Sequence, residues 1–300
     1  MNGLNVNFNQ TINKFESAMR KKMLIKNIFY KKVFGGRGFE FDSFRSYSYG
    51  DDDSSLIDWK ATLKNGGMPL IRQYIEERDL NVFVLVDIGD NMIFGSGERL
   101  KSETAAEIAV ALTHLVIIAG DKVGFGLFND KLSKVRPFSP GLEQFYYFLK
   151  NISNIQLYGG KSNLKNALEN IKPYLKKSTA VFIISDFINI DDAALNYLKS
   201  FVKQRETVGI MVRDNVDTKL SDIKGEIIVE DIYSGERLLI NPGLIKDEFE
   251  KHALKQKEQI INLFKKSGAD MLEITNNQEF IVPLVEFLKR RTKKRKVRIG

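Results

Sequence analysis

Cysteine is absent from the 300 residues of this chain, which removes disulfide staples, thiolate metal sites, iron–sulfur clusters and cysteine nucleophiles together. A cysteine-free chain suits a reducing compartment, and the expected location is cytoplasmic. Histidine is almost missing too. His114 and His252 are the only two, both within amphipathic helical sequence, and no G-x-S-x-G stands near either. A serine triad is therefore not expected. Long apolar runs are lacking as well. The longest, residues 108–119, contains Thr113 and His114 and is too short to cross a bilayer, so no transmembrane segment is expected. The N-terminus has no apolar h-region and carries Glu16 early, unlike a secretory signal. Tryptophan occurs once, at Trp59, and large aromatics are mostly buried, so Trp59 is expected in the core.

What is present suffices for one large domain or two modest ones, with 43% apolar residues and no low-complexity stretch. The net charge of +8 has a local origin. Residues 289–298, KRRTKKRKVR, hold eight basic side chains and no acid, so this segment alone supplies the excess. Residues 289–300 read as a flexible cationic tail, with Lys293, Lys294, Arg295 and Lys296 at its centre. Such a tail can meet nucleic acid, an anionic surface or an acidic protein, or can simply stay solvated.

From about residue 79, strands and helices alternate. The Val-rich run Asn81 to Asp87 reads as a strand buried on both faces, followed by a helical stripe over residues 99–119. Lys122 to Phe128 is the next strand. Its Gly124 and Gly126 leave one face bare, where a helix is expected to approach. Helices follow over 142–152 and 164–175, then a strand over 180–185, a helix over 192–204, and strands over 207–212 and 226–231. The final elements are a helix over 244–266, a strand over 271–275 and a helix over 280–288. This alternation predicts an α/β fold, a doubly wound and mostly parallel sheet covered on both faces. The expected division is an N-terminal lobe over 1–78, the α/β domain over 79–288 and the tail.

Ligands of such sheets sit beyond the carboxyl ends of the strands. Two strands here end in Asp87 and Asp186. The loop Asp87-Ile88-Gly89-Asp90-Asn91 brings oxygen donors suited to magnesium or another hard divalent cation. Ser162, in the turn Gly159-Gly160-Lys161-Ser162-Asn163, can add a hydroxyl, and Asp186 a further carboxylate. The same residue types make turns and helix caps, so both readings stand. The triplet Gly160-Lys161-Ser162 is not a P-loop, because Ile155 occupies the position that needs glycine. The acidic block Asp51 to Asp58 holds several carboxylates, but Arg45, Arg72 and Arg78 flank it in sequence, which predicts structural ion pairing.

The stretch from Gly35 to Arg78 carries an idiosyncratic set of residues: Glu40-Phe41, Arg45, Tyr47, Gly50-Asp51-Asp52, Ile57-Asp58-Trp59 and Glu76-Glu77-Arg78. In this pattern the chain resembles the DUF58 family. The resemblance continues through LVDIGDNMIFG, GDKVGFGLF, GGKSNL and IISDF, and covers roughly residues 33–290.

What the resemblance implies is a von Willebrand A-like core with a metal-ion-dependent adhesion site built from three loops. Asp87 matches the first loop's Asp, Ser162 the second loop's hydroxyl and Asp186 the third loop's Asp. The two serines usual in loop one are Gly89 and Asn91 here. Gly89 has no side-chain oxygen, although Asn91 has an amide oxygen to offer. The expectation is weak divalent binding or none. The resemblance further implies a MoxR-type AAA+ ATPase as partner and a role in assembling or activating a client protein. Partner contact is then expected from Asp90 and from Asp51, Asp52 and Asp58. Three functions are therefore set against one another: a non-enzymatic adaptor, a nucleic-acid or anionic-surface binder acting through the tail, and a hydrolase using the acidic block.

Overall fold

The structure, a computed structural model, describes residues 3–22, 40–75, 81–176, 178–220, 225–230, 235 and 237–297. The Gly35–Gly38 entry and Glu76-Glu77-Arg78 of the family pattern lie outside these residues. The chain divides into a smaller unit, Gly35–Leu80, and a larger one made of Met1–Phe34 and Asn81–Gly300.

Six strands form the sheet of the larger unit: β1 (Asn81–Asp87), β2 (Lys122–Phe128), β3 (Leu132–Ser139), β4 (Thr179–Ser185), β5 (Glu206–Arg213) and β6 (Asp270–Thr275). Their spatial order is β6-β5-β4-β1-β2-β3, and every pairing is parallel except that of β2 with β3. This is the doubly wound order 3-2-1-4-5-6 with its edge strand reversed. The reversal follows from the connection. Only Asn129 to Lys131 separates β2 from β3, enough for a hairpin and far too short for a parallel crossover. In β1 and β4 every residue is buried, because helices cover both faces.

Those helices are α1 (Phe8–Lys22), α2 (Lys101–Ile118), α3 (Leu142–Ile152), α4 (Leu164–Ile171), α5 (Asp192–Gln204), α6 (Pro242–Lys266) and α7 (Ile281–Val297). Helix α2 is buried almost all round; from Ala105 to Leu112 every apolar side chain is fully enclosed. A helix apolar on all sides needs a cover on its outer face. Helix α1 packs against α2 and α7, burying Thr11 and Phe15, and Glu16 meets the His114 ring nitrogen at 2.9 Å. The expected lobe boundary at residue 78 is corrected on this point: α1 belongs to the larger unit, and the smaller unit lies within Gly35–Leu80.

Gly124 and Gly126 make room for side chains of neighbouring strands rather than for a helix. A Cβ at Gly124 would come within 2.9 Å of the Phe83 ring and 3.2 Å of the Phe138 ring, which meet edge to face. The strand expected over 226–231 lies outside the large sheet. Ile227–Glu230 pairs antiparallel with Arg237–Ile240 in a hairpin of its own, with Ile228, Leu238 and Leu239 exposed.

The flexible-tail expectation is also corrected. The backbone of α7 stays helical to Val297 and so carries Lys293, Lys294, Arg295 and Lys296, whose side chains lie outside the described residues. Lys and Arg are good helix formers, and cations near a helix C-terminus oppose its dipole favourably. Leu284, Val285 and Leu288 anchor the helix. Arg291 is buried, bonds Asp270 at 2.8 Å and pairs with Glu206, so at least one tail cation is structural.

In the smaller unit, Glu40–Ser46 pairs antiparallel with Leu70–Ile75, and a short helix spans Trp59–Lys64. Trp59 is 64% exposed, which corrects its expected place in the core. The sole tryptophan should therefore show red-shifted fluorescence and strong acrylamide quenching in the native state. A blue-shifted, quencher-protected emission would contradict this placement.

Candidate functional site

The order of strands reverses between β1 and β4, and the crevice beyond their carboxyl ends is where a doubly wound sheet places its site. Asp87 closes β1 and Asp186 follows β4. Asp87 is 2% exposed and spends both carboxylate oxygens on inward bonds. Its Oδ1 accepts from the Ser162 hydroxyl at 2.5 Å and the Gly89 amide at 3.0 Å, and its Oδ2 accepts from the Ser185 hydroxyl at 2.7 Å. The three separated loops of the sequence reading thus meet at one rim.

The second loop is fixed by backbone. Gly159 and Gly160 both have positive φ, which glycine adopts without cost. The Gly159 amide donates to the Ile88 carbonyl at 2.8 Å, and the Asp90 amide donates to the Gly160 carbonyl at 2.9 Å. Asn129, at the β2–β3 turn, ties the loop down by donating to the Gly159 carbonyl at 2.8 Å. Asp90 lies over Gly159, and Asn91 sits half-buried in the turn Asp90–Met92.

The third loop is strained and clamped. Phe187 and Asn189 have φ of 52° and 56°, a region that a bulky buried Phe rarely visits. Three bonds hold that shape: the Phe187 amide to the Ser185 hydroxyl, the Ile188 amide to Asp186 Oδ1 and Arg213 Nε to the Asp186 carbonyl. The other Asp186 oxygen accepts from the Lys101 ammonium at 2.9 Å, which also donates to Asp217 at 2.9 and 3.2 Å. Lys101 is 1% exposed. Burial alone would lower its pKa, but the carboxylates of Asp186 and Asp217 outweigh this and raise it, so the ammonium stays charged. Burial raises Asp217 against the pull of that ammonium.

Burial, reinforced by the charge of Asp186, pushes Asp87 up to about 6 from an ordinary 3.8. Between these values the unfolded chain has released the proton that the native state still holds, so stability falls as pH rises through this window. Asp87→Asn should flatten the fall. The slopes of unfolding free energy against pH for the two proteins, from about pH 4 to 6.5, would test this, and parallel slopes would refute it.

The resemblance implies a divalent ion at this rim, and the residues do not fit one. A Cβ at Gly89 would overlap the Ser162 hydroxyl and stand 3.1 Å from the Gly160 carbonyl, so no side-chain oxygen can enter from position 89. Asp186 already carries an ammonium. Among the described residues, no group of three His, Cys, Asp or Glu side chains is placed to hold a metal.

The acidic block of the smaller unit has local partners. Asp52 takes both guanidinium nitrogens of Arg45 and the Ser48 amide, Asp53 caps the turn Ser54–Leu56, and Asp58 caps the Trp59 helix while pairing with Arg72. The pairings expected for Arg45 and Arg72 are present. Arg78 lies outside the described residues. Asp51 is exposed.

Sequence reasoning missed Lys101, Ser185, Arg213 and Asp217. The one local signal was a lysine in the first turn of an apolar helix, where the dipole disfavours a cation.

Fold and rim together define a mixed α/β protein with a central, mostly parallel six-stranded sheet flanked by helices. The chain belongs to the DUF58 family, described as a protein of unknown function, whose model matches residues 43–259. It is similar to "Uncharacterized protein Rv1480" of Mycobacterium tuberculosis (strain ATCC 25618 / H37Rv), 25% identical over 260 residues that cover 84% of this chain and 80% of the relative. "Uncharacterized protein Mb1516" of Mycobacterium bovis matches to the same extent. Among solved structures it is similar to the conserved hypothetical protein BatB from Bacteroides thetaiotaomicron, with TM-score 0.45, 13% identity and coverage of 71% of this chain and 99% of that one. An aerotolerance-related membrane protein from Bacteroides fragilis gives TM-score 0.45 at 14% identity, covering 72% and 99%. An uncharacterized membrane spanning protein from Vibrio fischeri gives TM-score 0.28 at 13% identity, covering 74% and 98%. The expected cytoplasmic location is corrected here and withdrawn, since two of these solved chains are named as membrane proteins. Among the described residues, no helix is long and apolar enough to cross a membrane.

Proposed function

We propose that this chain is a non-enzymatic interaction protein with a von Willebrand A-like core and a degenerate adhesion rim, working with a MoxR-type AAA+ ATPase on a protein client. The observation that carries the reading is the convergence of the loops at Asp87, Ser162 and Asp186 on the switch point of the sheet. The carboxylates a hydrolase would need, Asp52 and Asp58, are engaged by arginines and a helix cap, which favours binding over catalysis. Around the enclosed Asp186, the exposed residues are Gly160, Lys161 and Asn163, with Asp90 half-buried beside them. The smaller unit offers the exposed Asp51. Recovery of an AAA+ ATPase with this chain from its native cell, lost on Asp90→Lys with Asp51→Lys while the melting temperature holds, is the expected result. Repeated recovery of no such ATPase would end the proposal.

A second reading rests on the charge of residues 289–298. Binding of RNA or anionic vesicles through α7 should weaken steeply with salt and vanish when the chain is cut after Arg291, which keeps that structural ion pair. Salt-insensitive or absent binding would dispose of it.

A further inference from the structure

Lys101 is an anomaly on three counts. It is a lysine with almost no exposed surface, it opens a helix whose dipole repels it, and it bridges two carboxylate-bearing loops, at Asp186 and at Asp217. We propose that the Lys101 ammonium is a built-in cation, doing at this rim the electrostatic work that a bound divalent ion does in adhesion sites, and that the rim is metal-independent as a result.

The geometry supports substitution rather than coexistence. The ammonium bridges Asp186 Oδ2 at 2.9 Å and Asp217 Oδ2 at 2.9 Å. Magnesium would demand near-octahedral oxygen at about 2.0–2.1 Å from the same carboxylates, beside a fixed positive charge. The remaining oxygens already accept protein hydrogen bonds: Asp186 Oδ1 takes the Ile188 amide, and Asp87 takes Ser162, Gly89 and Ser185. The Phe94 ring centroid lies 5.9 Å from the ammonium. Arg213 adds a second buried cation, held on the Asp186 and Phe187 carbonyls. Asp217 is itself positioned, its Oδ2 also accepting from the Asp214 amide at 2.8 Å.

One consequence concerns the partner. An adhesion-site ion presents an open coordination position to an incoming carboxylate. Lys101 cannot, because its side chain is 2% exposed and committed to two internal partners. Binding at this rim therefore proceeds through its outward residues and is insensitive to chelators. The inference needs only the rim geometry, and its test reads metal and charge rather than ATPase capture, so it stands or falls separately from the adaptor reading.

The test uses the full chain. Melting temperature and calorimetric titration of the wild type are measured with magnesium, with manganese and with EDTA. No shift and no binding heat are expected; a metal-induced rise that Asp186→Asn abolishes would overturn the proposal. Alongside it, Lys101→Met is compared with Lys101→Met/Asp186→Asn/Asp217→Asn. The single change leaves buried carboxylates uncompensated and should lower the melting temperature sharply, and neutralising both acids should return much of the loss. If Lys101→Met does not fold but the triple variant does, the proposal is supported. If the triple variant is no better than the single one, or if neither folds, the charge of Lys101 is not what matters and the proposal fails.

Discussion

Asp186→Ala is expected to destabilise the protein by about 3–5 kcal/mol, the range for breaking one side of a buried ion pair. The substitution removes the Lys101 partner at 2.9 Å and the acceptor of the Ile188 amide in one step. It also leaves the strained Phe187 backbone without one of its clamps. For a domain of this size the change corresponds to a drop in melting temperature on the order of 10 °C. Asp90→Ala, half-buried on the same rim, should cost no more than about 1 kcal/mol. Equal effects from the two substitutions would mean that Asp186 is a surface residue and that the rim is wrongly assembled. Loss of a partner in an Asp186 variant would accordingly report damage to the loop, so the binding test above uses Asp90 and Asp51 instead.

Gly89→Ser would restore a hydroxyl that the adhesion pattern has at this position. The expected result is a loss of about 1–3 kcal/mol from overpacking and no gain of metal affinity. The Ser162 hydroxyl and the Gly160 carbonyl occupy the space that the new Cβ needs, and Ser162 is held there by Asp87. Denaturant unfolding with and without magnesium checks both halves. A neutral substitution that makes stability depend on magnesium would show that position 89, rather than Lys101, is what disables the site. The paired double variant Gly89→Ser/Ser162→Gly should recover part of the loss by clearing the clash, though it gives up the bond to Asp87.

Strands with both faces buried were legible in sequence because their signal is local. The runs at β1 and β2 are apolar, β-branched or glycine-relieved, and bounded by turn residues, and the observed limits match. Helix α5 was equally clear, capped by Asp191 and striped at Ala194, Leu198, Phe201 and Val202. Strand β3 was not. LSKVRPFS lies at the sheet edge, where one side of the ladder is unpaired, so proline and charge are tolerated and the apolar pattern is weak. The strand at Ile227–Glu230 misled because four apolar or acidic residues look alike in a large sheet and in a hairpin. The basic tail misled because charge repulsion suggested disorder, whereas helix propensity and the anchor at Arg291 favour continuing α7.

The candidate site divides in the same way. Asp87, Ser162 and Asp186 could be named because strand ends and glycine turns announce themselves. Lys101 and Asp217 could not, since they stand 85 and 31 residues from Asp186 in sequence and meet only through the sheet's crossovers. A buried lysine is rare enough that no sequence pattern predicts it without its partners.

Diffraction at the manganese absorption edge, from crystals grown with manganese, addresses the central claim most directly. The account predicts no anomalous peak between Asp87 and Asp186, and the Lys101 nitrogen within hydrogen-bonding distance of both Asp186 and Asp217. A strong peak on those carboxylates, with Lys101 swung away from them, would contradict it.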